Sequence, residues 1–214
     1  MAAQPELLSV RVGARDWLLE AVRDQDALLA EVDDDAGLAA FPYGLLLWPA
    51  AFALAEWIER KSTAMAGKRV LELGCGIGLA GLVAASHGAD VVQTDWQPAV
   101  LDLAGRAARR NGIGAITRRV GDWRAWPDDL TGFDVVVGSD ILYERTVHDA
   151  LMELLPRLVL PEGEIWITDP QRPQAFELLE RWERSGRFRI DLTSLDTQTD
   201  EGPREILGIR LRRA

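Results

Sequence analysis

The segment from residue 70 to residue 78 reads Val-Leu-Glu-Leu-Gly-Cys-Gly-Ile-Gly, an apolar run followed by closely spaced glycines and then a helical pattern. Glycines at such a turn let a ligand approach the backbone, whose N–H groups can then bind it. Gly76, Gly78 and Gly81 also match the GxGxxG spacing of dinucleotide-binding turns. The glycines alone therefore leave two kinds of nucleoside cofactor open.

Glu72, inside the apolar run, favours one of these cofactors. A dinucleotide places a pyrophosphate over the turn, where a carboxylate two residues ahead of the first glycine repels it. S-adenosylmethionine has no phosphate, and an acid at the end of a strand attracts its ammonium and sulfonium groups. The charge of Glu72 therefore predicts S-adenosylmethionine, and a nicotinamide-dependent oxidoreductase is kept as an alternative from another class.

Two further acids end the next apolar runs. Asp95 is placed where a carboxylate holds the ribose hydroxyls of either cofactor. Asp122 can accept a hydrogen bond from an adenine amino group, and Trp123 can stack on the adenine face. A helix N-cap is the simpler interpretation of Asp95, and core packing is the simpler one of Trp123. Three acids at three consecutive strand ends are harder to explain in this way, so a nucleoside pocket is predicted.

The elements that must position these residues follow from the hydrophobic pattern. From residue 67 onward, apolar β-rich runs alternate with helical patterns, which indicates βαβ units around a parallel sheet. Strands are predicted at residues 69–73, 90–94, 116–120, 133–137 and 164–168. Helices are predicted at residues 49–60, 79–87, 98–111, 146–155 and 174–185. Two last apolar stretches, 188–192 and 206–211, flank a hairpin-like loop at 196–204, so one closing strand must run antiparallel.

Length and charge limit the class of protein. The chain has 214 residues, which predicts a single domain with an accessory segment at 1–45 and a catalytic core at 46–214. A formal net charge of -10, from 24 Lys and Arg against 34 Asp and Glu, repels phosphates and disfavours a nucleic-acid partner. Six arginines between residues 106 and 124 are interpreted as a solvated helix face rather than a basic patch.

Single residues exclude further classes. Cys75 is the only cysteine, so no internal disulfide can form, and a reducing, cytoplasmic location is expected. Neither His87 nor His148 has carboxylates at metal-ligand spacing, so no metal is predicted. Residues 36–55 carry no charge, but Pro42 and Pro49 interrupt them, so no membrane span is predicted. The first residues lack a basic stretch followed by an apolar one, so no targeting signal is predicted.

From residue 45 onward, the chain resembles the class I S-adenosylmethionine-dependent methyltransferases. Within that class it is most similar to the seven-strand protein lysine methyltransferases with a DxxY motif. This group contains the methyltransferase of the electron transfer flavoprotein β-subunit and its nicotinamide-methyltransferase-like relatives. The resemblance is carried by Leu47-Trp48-Pro49, by the glycine-rich segment 70–81, by Asp140-Ile141-Leu142-Tyr143 and by the segment Asp-Pro-Gln-Arg-Pro at 169–173. Residues 40–44 depart from the pattern of the flavoprotein-directed members, which leaves the particular substrate open.

The resemblance implies a Rossmann-like, doubly wound α/β fold. Its seven-stranded sheet has the order 3-2-1-4-5-7-6, with one antiparallel strand and helices on both faces. The cofactor is S-adenosyl-L-methionine, and the resemblance places Asp140 and Tyr143 against the substrate. Together with the residues considered above, the predicted cofactor-binding set is Trp48, Glu72, Gly74, Cys75, Gly76, Gly78, Asp95, Trp96, Asp122, Trp123 and Ser139.

The predicted reaction is the methylation of a lysine side chain of a protein. Methyl transfer from a sulfonium requires a nitrogen lone pair in line with the departing sulfur, so orientation provides most of the catalysis. Asp140 can accept a hydrogen bond from the amine, and Tyr143 can form one wall of its channel. A helix N-cap remains the alternative for Asp140, and core packing for Tyr143. An N-methyltransferase of a small amine or pyridine and an inactive binding protein are further alternatives. No Asn-Pro-Pro-Tyr follows the fourth strand, which counts against methylation of DNA or glutamine.

Overall fold

The computed structural model describes residues 4–23, 25–29, 41–114, 116–199 and 202–214. The chain begins with a β-hairpin of β1 (Glu6–Val12) and β2 (Arg15–Ala21), followed by a short helix, α1 (Gln25–Leu29). The remaining strands are β3 (Arg69–Leu73), β4 (Asp90–Asp95), β5 (Thr117–Val120), β6 (Phe133–Ser139), β7 (Val159–Asp169), β8 (Phe188–Thr199) and β9 (Gly202–Arg213). The remaining helices are α2 (Pro49–Arg60), α3 (Leu79–Ser86), α4 (Pro98–Arg110), α5 (His148–Leu158) and α6 (Pro173–Ser185).

Seven of these strands form one sheet in the order β5-β4-β3-β6-β7-β9-β8. All neighbours pair in parallel except β9, which runs antiparallel to both β7 and β8. When the strands of this sheet are counted from the first in the chain, the order is 3-2-1-4-5-7-6. The predicted fold class and strand order are therefore confirmed.

Helices cover both faces of the sheet because its central strands are apolar on both sides. Along β6, Val135 and Val137 pack into the core cluster that contains α2, α3, α4 and the hairpin. Val136, between them, packs into the cluster of α5 and α6 on the opposite face. Helices α2, α4 and α6 each begin with a proline at the first helical position, where the missing N–H breaks no helical hydrogen bond.

Several predicted boundaries are wrong. The predicted loop at 196–204 is mostly strand, because β8 continues to Thr199 and β9 begins at Gly202. The strand predicted at 164–168 is longer, since β7 begins directly where α5 ends. A single 3-10 turn (Arg145–Val147) precedes α5, which therefore starts two residues later than predicted.

Among the described residues, no helix is long and apolar enough to cross a membrane. Residues 36–40 of the uncharged segment lie outside the described part.

The hairpin is held on α4 by polar contacts that explain part of the arginine cluster. Arg106 Nε and Arg110 Nε donate to the two carboxylate oxygens of Glu20 at 2.8 and 2.9 Å. The Asn111 side chain accepts from the N–H of Leu18 at 3.0 Å and donates to its carbonyl oxygen at 2.8 Å. These arginines attach the accessory element to the core and are not only a solvated face.

The two lysines of the chain lie at the amino-terminal edge of the sheet. Lys61 follows α2, and Lys68 immediately precedes β3 and donates to Asp134 at 3.2 Å. Both line a cavity of about 300 Å³ beside the stacked rings of Trp57 and Trp166, whose centroids are 4.9 Å apart. This edge is opposite the carboxyl ends of the parallel strands.

A buried carboxylate joins β3, β4 and α3. Glu72 is 3% exposed, and its Oε2 accepts from the backbone N–H of Gly81 at 3.1 Å and from Nε2 of Gln93 at 2.8 Å. Gln93 Nε2 also donates to the carbonyl oxygen of Gly78 at 3.0 Å. Burial is the largest cause that raises the pKa of Glu72 to about 7, although these hydrogen bonds lower it. The carboxylate thus satisfies an N–H of the first helical turn that has no partner within α3.

The glycines at 78 and 81 are required by this packing. A Cβ on Gly81 would lie 2.4 Å from Glu72 Oε2 and 2.7 Å from Gln93 Nε2, and one on Gly78 would lie 2.6 Å from Gln93 Nε2. Gly78 and Gly81, which belong to the GxGxxG spacing, therefore leave room for the buried side chains of Glu72 and Gln93 beneath the turn.

We expect Gly81→Ala to destabilise the protein by about 1–3 kcal/mol, because the added methyl group forces the Glu72 side chain out of place. Urea unfolding gives the free energy of unfolding. Gly114→Ala is the matched control, since a Cβ there meets no atom within 4 Å and the residue has no positive φ. Equal stability losses in the two variants would contradict the packing argument.

Glu72 makes folding stability depend on pH. Its pKa is about 7 in the folded protein against an ordinary value of 4.5, so its contribution is full below about pH 4.5 and is lost as the pH rises through 7. Glu72→Gln does not titrate. We expect the stability of this variant relative to wild type to rise by roughly 1–3 kcal/mol between pH 5 and pH 8. A difference in unfolding free energy between the variant and wild type that stays constant across this range would refute the raised pKa of Glu72.

Candidate active site

A cavity of about 450 Å³ opens at the carboxyl ends of β3, β4 and β6. Its volume is typical of small-molecule sites, which in open α/β sheets lie where neighbouring connections leave the sheet in opposite directions. The walls come from residues 41–51, from the turn after β3, and from the segments that follow β4, β5 and β6. The lining residues are Phe41, Tyr43, Gly44, Leu46, Trp48, Ala51, Gly74, Cys75, Gly76, Ile77, Leu79, Asp95, Trp96, Gly121, Asp122, Trp123, Arg124, Ser139, Asp140, Ile141, Tyr143, Glu144 and Val147.

The turn after β3 forms the floor of this cavity. Gly74 and Gly76 have φ values of +58° and +52°, which favour glycine. A Cβ on Gly76 would lie 3.3 Å from the carbonyl oxygen of Gly44, so the turn lies close beneath the segment at 41–48. Cys75 donates its backbone N–H to Thr94 at 2.8 Å, and burial raises the pKa of its thiol.

Asp95 fixes the same turn from the neighbouring strand. Its Oδ2 accepts from the backbone N–H of Gly76, and its Oδ1 accepts from that of Gln97, each at 3.1 Å. Burial raises the pKa of Asp95, and these backbone hydrogen bonds partly offset the shift. The carboxylate is thus held in one orientation at the cavity wall. Beside it, Trp96 is 52% exposed at the cavity.

Asp122 and Trp123 lie together on another wall. Asp122 Oδ1 accepts from the backbone N–H of Arg124 at 2.9 Å and from its Nε at 3.1 Å, and the pairing with Arg124 lowers the pKa of Asp122. A Cβ built on Gly74 would lie 3.4 Å from Trp123 Cζ2, so the indole packs against the glycine turn.

Asp140 has an uncommon backbone conformation, with a φ of +50°. Its N–H donates to the carbonyl oxygen of Thr168 at 2.8 Å. Arg172 donates to both carboxylate oxygens, Nε to Oδ1 and Nη2 to Oδ2, each at 2.8 Å. The alternative of a helix N-cap at Asp140 is wrong, since N-cap residues are extended and the next helical turn begins at Arg145.

Tyr143 belongs to an aromatic wall built largely from the segment ahead of α2. Its ring centroid is 5.6 Å from that of Tyr43, which in turn lies 4.5 Å from Phe41 and 6.1 Å from Trp48. Burial is the main cause that raises the pKa of Tyr143 to about 12, so its hydroxyl stays protonated at neutral pH. The side chain is still 37% exposed at the cavity.

The structure brings most predicted site residues to this cavity. Two predicted cofactor contacts lie outside it. Glu72 is buried behind the turn and hydrogen-bonded within the protein, so the predicted attraction between its carboxylate and a cationic ligand is wrong as a direct contact. Gly78 occupies the N-cap position of α3, with a φ of +85°.

The residues that the sequence analysis missed include Phe41, Tyr43, Gly44 and Leu46, from the segment that covers the glycine turn. The available signal was the aromatic and apolar segment just ahead of Trp48, noticed only as a departure from related sequences. Among the described residues, no three His, Cys, Asp or Glu side chains come together as metal ligands would.

Comparisons with known proteins agree with this geometry. A family model described as lysine methyltransferase matches residues 29–181. The protein N-lysine methyltransferase METTL21A of Danio rerio is 31% identical over 162 residues, covering 72% of this chain and 73% of that protein. The histone-arginine methyltransferase METTL23 of Xenopus laevis is 36% identical over 137 residues, covering 59% of this chain and 57% of that protein. The chain thus matches less than two thirds of the length of the latter relative.

Solved structures share the fold at lower identity. A TehB-like SAM-dependent methyltransferase from Corynebacterium glutamicum has a TM-score of 0.58 and 21% identity, covering 76% of this chain and 88% of that one. The 16S rRNA N2 G1207 methyltransferase RsmC of T. thermophilus has a TM-score of 0.68 and 16% identity, covering 99% of this chain and 51% of that one. These likenesses show the methyltransferase fold alone, and the family model matches most of the chain. This chain belongs to the lysine methyltransferase family.

Proposed function

We propose that the protein transfers a methyl group from S-adenosyl-L-methionine to the side-chain amine of a lysine in a protein substrate. One observation carries the proposal. A single cavity is lined both by a nucleoside-type site, with Asp95 beside the glycine turn, and by Asp140 and Tyr143, which can receive an amine. Cofactor and acceptor can therefore meet in one cavity.

The residues at the cavity fit this cofactor. Asp95 can hold the ribose hydroxyls, Trp123 can stack on the adenine, and the backbone around Gly74 and Gly76 leaves room for the amino-acid portion. When bound, the cofactor supplies an electrophilic methyl group on a sulfonium.

Charge at the cavity disfavours the oxidoreductase alternative. Four carboxylates line the described cavity, at Asp95, Asp122, Asp140 and Glu144, against one guanidinium, Arg124. This excess of negative charge attracts a sulfonium and an ammonium and repels a pyrophosphate. The carboxylates of the cavity wall, and not Glu72, therefore favour S-adenosylmethionine over a dinucleotide.

The chain's own residues provide orientation. The Asp140 carboxylate and the Tyr143 hydroxyl oxygen can each accept a hydrogen bond from an N–H of the acceptor amine, which leaves the nitrogen lone pair free for the methyl group. The rings of Tyr43, Trp48 and Tyr143 can receive the alkyl chain and the positive charge of an incoming lysine. Desolvation in this aromatic site disfavours the ammonium form and opposes the effect of the nearby carboxylates, and the amine loses its proton to solvent before it attacks.

A second candidate is the methylation of arginine, because the Xenopus laevis relative is named a histone-arginine methyltransferase. A small amine is a third candidate. The exposed edges of Trp96 and Tyr143 at the cavity favour a long side chain entering from a protein over a fully enclosed metabolite.

We expect Asp95→Ala to weaken the binding of S-adenosylhomocysteine by at least about tenfold, since a charged hydrogen-bond acceptor is lost. Asp140→Asn should keep that affinity within about twofold and lower turnover by about 10–100-fold, because it removes the charge at the acceptor side. Asn also tolerates the positive φ of residue 140. Calorimetry and turnover assays check both variants, and the reverse pattern would exchange the two assigned subsites.

Incubation with methyl-labelled cofactor and a cell extract tests the acceptor. We expect label in protein and, after acid hydrolysis, in methylated lysine. Asp140→Asn serves as the low-turnover control. Label confined to small molecules would instead support the metabolite alternative, and label in methylated arginine would support the second candidate.

A further inference from the structure

The carboxylate of Asp140 is already paired within the chain. Both of its oxygens accept from Arg172 at 2.8 Å, and the Asp140 side chain is 7% exposed. This two-point geometry uses the converging lone pairs of the two oxygens. Only the diverging lone pairs remain for a substrate in the cavity that Asp140 lines.

Ammonium and guanidinium groups make different demands on a carboxylate. A lysine ammonium or amine is compact and needs one lone pair for one N–H. A guanidinium is a rigid planar fork, and its favourable contact with a carboxylate requires the converging lone pairs of both oxygens. Asp140, paired with Arg172, can therefore accept a hydrogen bond from an ammonium or amine. It cannot offer both oxygens side by side to a guanidinium.

The other carboxylates on the described cavity wall also have hydrogen-bond partners within the chain. Asp122 is paired with Nε and Nη2 of Arg124 at 3.1 and 3.3 Å. Both oxygens of Asp95 accept backbone N–H groups. Glu144 has one oxygen engaged by the hydroxyl of Thr146 and lies exposed.

The loop that carries Arg172 is itself anchored. The backbone N–H of Arg172 donates to Oδ1 of Asp169 at 2.7 Å, and Asp169 is fully buried at the end of β7. Helix α6 begins at the next residue, Pro173. The guanidinium therefore projects from a fixed point between a strand and a helix, which makes the pair with Asp140 a built feature rather than a surface contact.

We infer that Arg172 is a specificity-determining residue. It occupies the converging lone pairs of Asp140, which a guanidinium would need, and so restricts the acceptor to ammonium-type side chains. The inference rests on the proposed function and narrows its acceptor to lysine over arginine.

The test uses two small cations of equal chain length, n-butylamine and n-butylguanidine, titrated into the complex of the protein with S-adenosylhomocysteine at pH 7. We expect wild type to bind the amine at least about tenfold more tightly than the guanidine, as one charge-assisted contact is worth about this factor. Arg172→Met should reduce the ratio to about two or invert it. Arg172→Lys, which keeps the charge and loses the fork, should also lose most of the preference.

Arg181→Met is the matched control, since Arg181 pairs with Asp149 outside the cavity and should leave the ratio unchanged. Wild type that binds both cations equally overturns the inference, as does an unchanged ratio in Arg172→Met. A wild-type ratio in Arg172→Lys also overturns it, because charge alone would then set the preference. Failure to bind S-adenosylhomocysteine refutes the proposed function instead, and the amine ratio is then measured on the free protein.

Discussion

The hydrogen bonds that Glu72 accepts from Gly81 and Gln93 hold together the parts from which the cavity is built. Through them a strand, its neighbouring strand and the first turn of the following helix share one buried carboxylate. The turn between them is then closed from the other side by Asp95, which binds the N–H of Gly76. The floor of the cavity is thus fixed by the protein's own contacts, and such preorganisation lowers the entropic cost of binding.

Each carboxylate around the cavity is held by a partner before any ligand binds. Backbone N–H groups hold Asp95, and arginines hold Asp122 and Asp140. A carboxylate held in this way loses little side-chain entropy on binding. It also keeps a defined set of free lone pairs, so the shape of the incoming cation matters as well as its charge.

The repeating part of the fold could be predicted because strands and helices have different hydrophobic periods. The β3 and α2 bounds match the predicted ones, and β9 runs antiparallel because a short hairpin joins it to β8. Glu72 was misplaced because it was treated as a strand-end residue. It lies within β3, where side chains alternate between the faces, so it points toward α3 while Leu71 and Leu73 face the opposite layer.

The pair of Arg172 with Asp140 could not be read from the sequence, since 32 residues separate the partners and only the sheet order brings the ends of β6 and β7 together. The aromatic wall at 41–48 has no period and depends on a tertiary contact with Tyr143.

The positions of Lys61 and Lys68 have a practical consequence. Both lie at the edge of the sheet remote from the cavity, and no other lysine occurs in the chain. The protein thus presents its own side-chain amines only on the side away from the cavity, where they cannot reach the cavity of the same molecule. Coupling through these two lysines would attach the protein to a solid support with its cavity facing outward.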